Sequence, residues 1–146
     1  MLKDIYALFN ASPLGIAAPA DLDEFAPKTT GMNTDHAPDQ YCLGSLWEDF
    51  RSNCDRRFHG RKAMLSISPL DLLPFISKAC DDKIDAVGGL AAWNGLSDEE
   101  KEYHDSHTYE RIIVLLGEAE YQALSPEDKH IVNLFIHAGC CMHKYA

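Results

Sequence analysis

Leu43-Gly44-Ser45-Leu46-Trp47-Glu48-Asp49-Phe50-Arg51-Ser52-Asn53-Cys54-Asp55-Arg56-Arg57-Phe58-His59-Gly60 is the stretch that decides the fold class. Leu43, Leu46, Trp47, Phe50, Cys54 and Phe58 recur at spacings of three and four, which gathers them on one face of an amphipathic helix. Gly60 is expected to end it. Working outward, Ser68-Pro69-Leu70-Asp71 reads as a helix start: serine accepts a backbone N–H, proline suits the first helical position, and aspartate favours the positive end. Pro74 predicts a short or kinked helix there. Ser97-Asp98-Glu99-Glu100 is a capping box, and Ser125-Pro126-Glu127-Asp128 repeats its logic with a shorter acid.

Between these starts, Ala86 to Trp93 is weakly helical, because Gly88 and Gly89 each cost about 1 kcal/mol relative to alanine. Tyr109, Ile112, Ile113 and Leu116 predict a buried stripe, which Gly117 is expected to break or bend. Near the end, Ile131, Leu134, Phe135, Ala138 and Met142 form one stripe, with Val132, Ile136, Cys140 and His143 beside it. A helix apolar over so much of its circumference is expected to be central, or covered by something absent from this chain. No alternating run marks a strand. The expectation is an all-α fold: an irregular bundle of five to seven helices over residues 38–146, preceded by a less regular, partly extended N-terminal arm over residues 1–37.

The 146 residues fit one domain, and 46% hydrophobic content with six phenylalanines belongs to a globular chain. Thirteen Lys and Arg against 23 Asp and Glu leave a formal charge of −10, which argues against a surface devoted to nucleic acid. The acid is concentrated between Asp98 and Asp128. Arg51, Arg56, Arg57, Arg61 and Lys62 form a local basic segment, read either as a phosphate contact or, more simply, as a solvated helix face. Five cysteines, an odd number, and no apolar leader after Met1 point to a reducing intracellular compartment. No stretch reaches the roughly 20 apolar residues that span a bilayer, so a membrane is not an expected partner.

Cys140 and His143 lie three apart on the expected last helix, so both side chains can reach one zinc ion. His137 and Cys141 occupy an adjoining face. A structural zinc site takes four ligands, and the others would come from His36, Cys42, Cys54, Cys80 or chain beyond residue 146. Cys54 is the weakest of these because it sits within an apolar stripe. The simpler reading of Cys140 and Cys141 is that of small buried hydrophobes. A Cys–His nucleophile would need an oriented third group and a lowered thiol pKa, and the late helical position supplies neither. His104 and His107 form a second candidate ion contact, weighed against an exposed polar face. Asp35 and Asp39 flank His36; capping explains them, and a metal-dependent phosphoryl-transfer site would also use them. No complete catalytic constellation is present, so an enzyme is not the expected reading.

The phrases Tyr109-Glu110-Arg111-Ile112, Leu115-Leu116-Gly117-Glu118-Ala119, Leu124-Ser125-Pro126-Glu127-Asp128 and Ala138 to Lys144 resemble a segment of transposon-encoded proteins of mushroom-forming fungi. Gly31-Met32-Asn33-Thr34-Asp35-His36-Ala37 adds to the likeness, which spans roughly residues 31–146. Cys140-x-x-His143 also resembles the C-x-x-H motif in the helical insertion of cut-and-paste transposases of the Kyakuja–Dileera–Zisupton group. In those enzymes three acids hold two divalent ions for strand transfer. The resemblance implies a transposon-derived helical piece, catalytically incomplete, whose final acid would lie past Ala146. It further implies a nuclear location, DNA as a partner of the family, and a protein partner or the remainder of a larger chain as the partner of this piece. The alternative is a stand-alone helical interaction module with core cysteines and no metal.

Overall fold

The computed structural model describes residues 2–34 and 38–139. Their elements run α1 (Leu2–Asn10), α2 (Pro13–Ala17), α3 (Leu22–Phe25), a 3-10 turn (Ala26–Lys28), β1 (Gly31–Thr34), α4 (Pro38–Met64), then α5 (Pro69–Ala86). They continue with α6 (Leu90–Gly95), α7 (Asp98–Ser106), α8 (Thr108–Ala123), α9 (Pro126–Asn133) and β2 (Ile136–Gly139). The class is all-α with one small sheet. Six α-helices, α4 to α9, fall in the described part of residues 38–146, within the five to seven expected there, while residues 2–28, read as an irregular arm, hold three further short helices. The chain clusters into two compact units: Met1–Asp55 with Ser125–Ala146, and Arg56–Leu124.

In the contiguous unit, α5 packs on α8. The core is Ala79, Ile112 and Leu116, flanked by Ala63, Met64, Ile67, Leu72, Phe75 and Leu115. Ile113 is fully buried, a burial that contributes about 1.5–3 kcal/mol. Tyr109, expected in the same stripe, is exposed instead. Neither glycine expected to interrupt a helix ends one. Gly60 lies inside α4 and Gly117 inside α8, both buried. A Cβ on Gly60 would overlap the Ile113 carbonyl, and one on Gly117 would overlap the Arg56 carbonyl. These glycines are crossing points at which two helix backbones touch.

Local signals set the helix ends. Ser68 Oγ accepts the Asp71 N–H at 3.2 Å, and Ser125 Oγ accepts the Asp128 N–H at 3.1 Å. At Ser97 both halves of the capping box are formed. Pro74 does not shorten α5, which runs for 18 residues; the proline sits in the second turn and removes only the bond to the Leu70 carbonyl. Gly88 and Gly89, at φ 100° and 93°, close α5 instead of weakening a helix. Gly88 N–H donates to Asp85 O and Gly89 N–H to Ile84 O, both at 3.0 Å, the paired bonds of a Schellman stop.

In the discontinuous unit, Asn10 ties a loop shut, its side chain donating to Ala20 O at 3.0 Å and accepting from Ala20 N at 2.8 Å. Trp47 Nε1 donates to Thr29 Oγ1 at 3.2 Å, and Thr29 Oγ1 donates to Ala26 O at 2.7 Å. Strands β1 and β2 pair in parallel, Gly31 opposite Ile136 through Thr34 opposite Gly139. This corrects the expected last helix. It stops at Asn133, and Ile131, Leu134 and Ile136 are exposed rather than central. A short apolar run fits either period, and here the Ile136 N–H bond to Thr30 O, 2.9 Å, draws it into the ladder.

Candidate functional site

Cys140, Cys141 and His143 lie outside the described residues, as do Asp35 and His36. Of the other expected ligands, Cys42 is exposed and Cys54 fully buried, both on α4, while Cys80 is half-buried on α5. Twelve residues of helix separate Cys42 from Cys54, about 18 Å along the axis, so those two thiols cannot share an ion. Asp39 is the second residue of α4. Among the described residues no group of three or more His, Cys, Asp or Glu side chains is placed to hold a metal ion.

The basic segment is not simply a solvated face at its first two arginines, which are engaged within the protein. Arg51 is 5% exposed. Its Nε donates to Pro27 O at 3.3 Å, and a terminal N–H donates to Val132 O in the last turn of α9. Helix C-terminal carbonyls carry partial negative charge, so a cation stabilises that end. Arg56 lies 3.5 Å above the Tyr121 ring and forms an ion pair with Glu118, 2.9 Å from Nε to carboxylate. Lys62 covers the Phe58 ring at 4.2 Å, one turn away on α4.

A group of charged and aromatic side chains gathers around Lys83, a residue outside every motif of the sequence. Lys83 follows Ala79 by four residues, on the buried face of α5, and that spacing is the signal that would have marked it. The residue is 8% exposed. Its ammonium donates to the Asp105 carboxylate and lies 4.8 Å from the centre of the Trp93 ring. His104 meets the Trp93 ring edge-on at 5.9 Å. Thus α5, α6 and α7 are joined by one cation, one indole and one carboxylate. His107 turns elsewhere: Nδ1 lies 2.8 Å from Tyr103 O, and its ring is 4.8 Å from the Tyr103 ring. His104 also meets the Tyr103 ring, at 5.6 Å, so both histidines stack on Tyr103, and among the described residues neither belongs to a group of three metal-ligating side chains. The arrangement fixes charge inside the unit.

In the discontinuous unit His137 is the one expected ligand neighbour that the structure describes. Its Nε2 lies 2.8 Å from Glu48 Oε1. Gly44, one turn before Glu48 on α4, leaves the space its ring occupies. The contact fastens β2 to α4.

Fold and site together define an all-α protein with a two-stranded parallel sheet, built around fixed ion pairs and close glycine crossings. No described helix is long and apolar enough to cross a membrane. No protein-family model, curated protein or solved structure matches the chain.

Proposed function

We propose that this chain is a helical interaction domain of transposon-derived ancestry, catalytically incomplete alone. The observation that supports it is an imbalance of burial. Among the described residues Leu8, Leu14, Leu46, Leu65, Leu70 and Ile131 are each more than 60% exposed, whereas the largest fully buried side chains are Ile113 and Cys54. Exposed apolar side chains mark contact surfaces where they adjoin, as Leu70 and Leu73 do three apart on α5. The ancestry, and with it a nuclear location and DNA as a family partner, rests on the sequence phrases of residues 31–146. Two measurements test the reading. Native chain with intact near-UV circular dichroism is expected to bind an apolar fluorescent dye, a combination that separates surface patches from a molten core. It is also expected to leave DNA uncut with Mg²⁺ or Mn²⁺. Absence of dye binding, or cleavage that disappears in Asp35→Ala, overturns it.

A second reading adds zinc, held by Cys140 and His143. The support is that β1 and β2 end on one rung, Thr34 opposite Gly139, and the sequence continues from those two ends with Asp35-His36 and with Cys140-Cys141-Met142-His143. Metal analysis of protein purified without a tag is expected to give stoichiometric zinc, lost in Cys140→Ala with His143→Ala. Metal-free protein overturns the zinc reading and leaves the interaction domain standing with core cysteines.

A further inference from the structure

α5 carries two apolar rows. One, Leu72, Phe75 and Ala79, packs into the core with Ile112 and Leu116. The other is Leu70, Leu73, Ser77, Cys80 and Ile84, at spacings of three, four, three and four. That alternation is the seam of a helix meant to meet another helix, since it keeps one narrow stripe facing a partner over successive turns. In this unit α8 covers the first row. The second is open at its N-terminal half, with Leu70 at 78% and Leu73 at 57% exposed, and half-buried at Cys80 and Ile84. Ser77, the smallest member, is exposed between Leu73 and Cys80.

We propose that this second row of α5 docks one amphipathic α-helix from a partner rich in lysine and arginine. The proposal rests on the interaction-domain reading and names the partner class. The spacing selects a helix over an extended peptide, because an extended strand presents side chains at period two. Charge selects the partner. Asp71, Asp81 and Asp85 are exposed on α5, and the neighbouring cation, Lys78, is already paired with Asp82 at 3.1 Å. A second copy of this chain would bring the same carboxylates to the same face, since a two-fold contact sets a surface against itself. A basic helix meets apolar row and acidic rim at once, and gains both burial and steered association.

The test uses the full chain and two labelled synthetic helices with leucine at the seam positions, one with lysine at the flanks and one with glutamate. Fluorescence anisotropy is expected to show the lysine helix binding at least about tenfold more tightly, with affinity falling as salt rises. Leu70→Ser with Leu73→Ser, both exposed and so tolerated by the fold, is expected to weaken that binding by at least about tenfold. Asp81→Lys with Asp85→Lys is expected to shift preference toward the glutamate helix, and stands in should the leucine variant fail to fold. Equal binding of both helices, absence of binding, or an unchanged affinity in a folded variant overturns the proposal. So does a dimer in sedimentation that the leucine variant abolishes, because the row would then serve a second copy. Dye binding by a chain that ignores both helices removes only the partner class and spares the interaction domain.

Discussion

Gly60 and Gly117 hold the backbones of α4 and α8 against each other: a Cβ on Gly60 would come 3.0 Å from the Gly117 amide nitrogen. Each glycine costs its helix about 1 kcal/mol relative to alanine. That cost is offset by the approach it permits, which brings Arg56 over Tyr121 and Glu118.

Alanine at either crossing is therefore expected to destabilise, although alanine favours helix. Backbone cannot yield as a side chain can, so Gly60→Ala and Gly117→Ala should each lose about 1–3 kcal/mol in urea unfolding. The double variant should lose less than the sum, because one separation of the helices relieves both clashes. Gly95→Ala in α6, where an added methyl meets nothing within 4 Å, is the control and should be neutral or stabilising.

Gly44 should behave differently. A methyl there meets the His137 ring, the end of a side chain that can swing away. Gly44→Ala is expected to cost no more than the partly exposed His137–Glu48 contact, under about 1 kcal/mol. His137→Ala should erase even that difference. A loss from Gly44→Ala as large as that from Gly60→Ala would show that β2 cannot shift.

The Lys83 ion pair gives an asymmetric prediction. Asp105→Ala leaves the ammonium buried with only the Trp93 face beside it, and should cost more than Lys83→Met, which removes the charge and keeps the chain volume. The ordering, read from paired unfolding curves, is the outcome that matters. Trp93 fluorescence should change in both variants, since the cation lies 4.8 Å from its ring centre.

Glu100 ties the start of α7 to pH. The Ser97 backbone N–H, 2.8 Å away, and then the Ser97 hydroxyl hold its carboxyl below the 4.5 ordinary for glutamate. A group depressed in the folded state contributes stability above its unfolded pKa, and the contribution is lost as pH falls through the folded value. An NMR titration should place Glu100 below 4.5, and Ser97→Ala should move it upward. In Glu100→Gln that portion of the acid dependence should vanish.

The parts legible in the sequence were those decided within one turn of chain. Ser68, Ser97 and Ser125 could be read as caps because their partners lie three residues on. Gly60 and Gly117 were misread because a glycine that stops a helix and one that admits a neighbour look alike until the neighbour is placed. Residues 131–139 failed for a related reason: the apolar run satisfies both periods, and only Thr30, far away in sequence, settles which one applies. Arg51 looked like surface charge because its acceptors are backbone carbonyls, which carry no sequence signature. The Cys140 and His143 pair was readable as a motif, but its outcome lies outside the described residues.

The parallel pairing of β1 with β2 also has a kinetic side. Residues 30 and 136 must meet across more than two thirds of the chain, whereas α5, α6, α7 and α8 find their contacts among near neighbours. Distant pairing is slow because the loop has to close before any bond rewards it. The sheet is thus expected to assemble late, and a nascent chain that has not reached residue 136 lacks it. Until it forms, the backbone N–H and C=O groups of residues 136–139 lack the partners that β1 supplies and stay available to another strand.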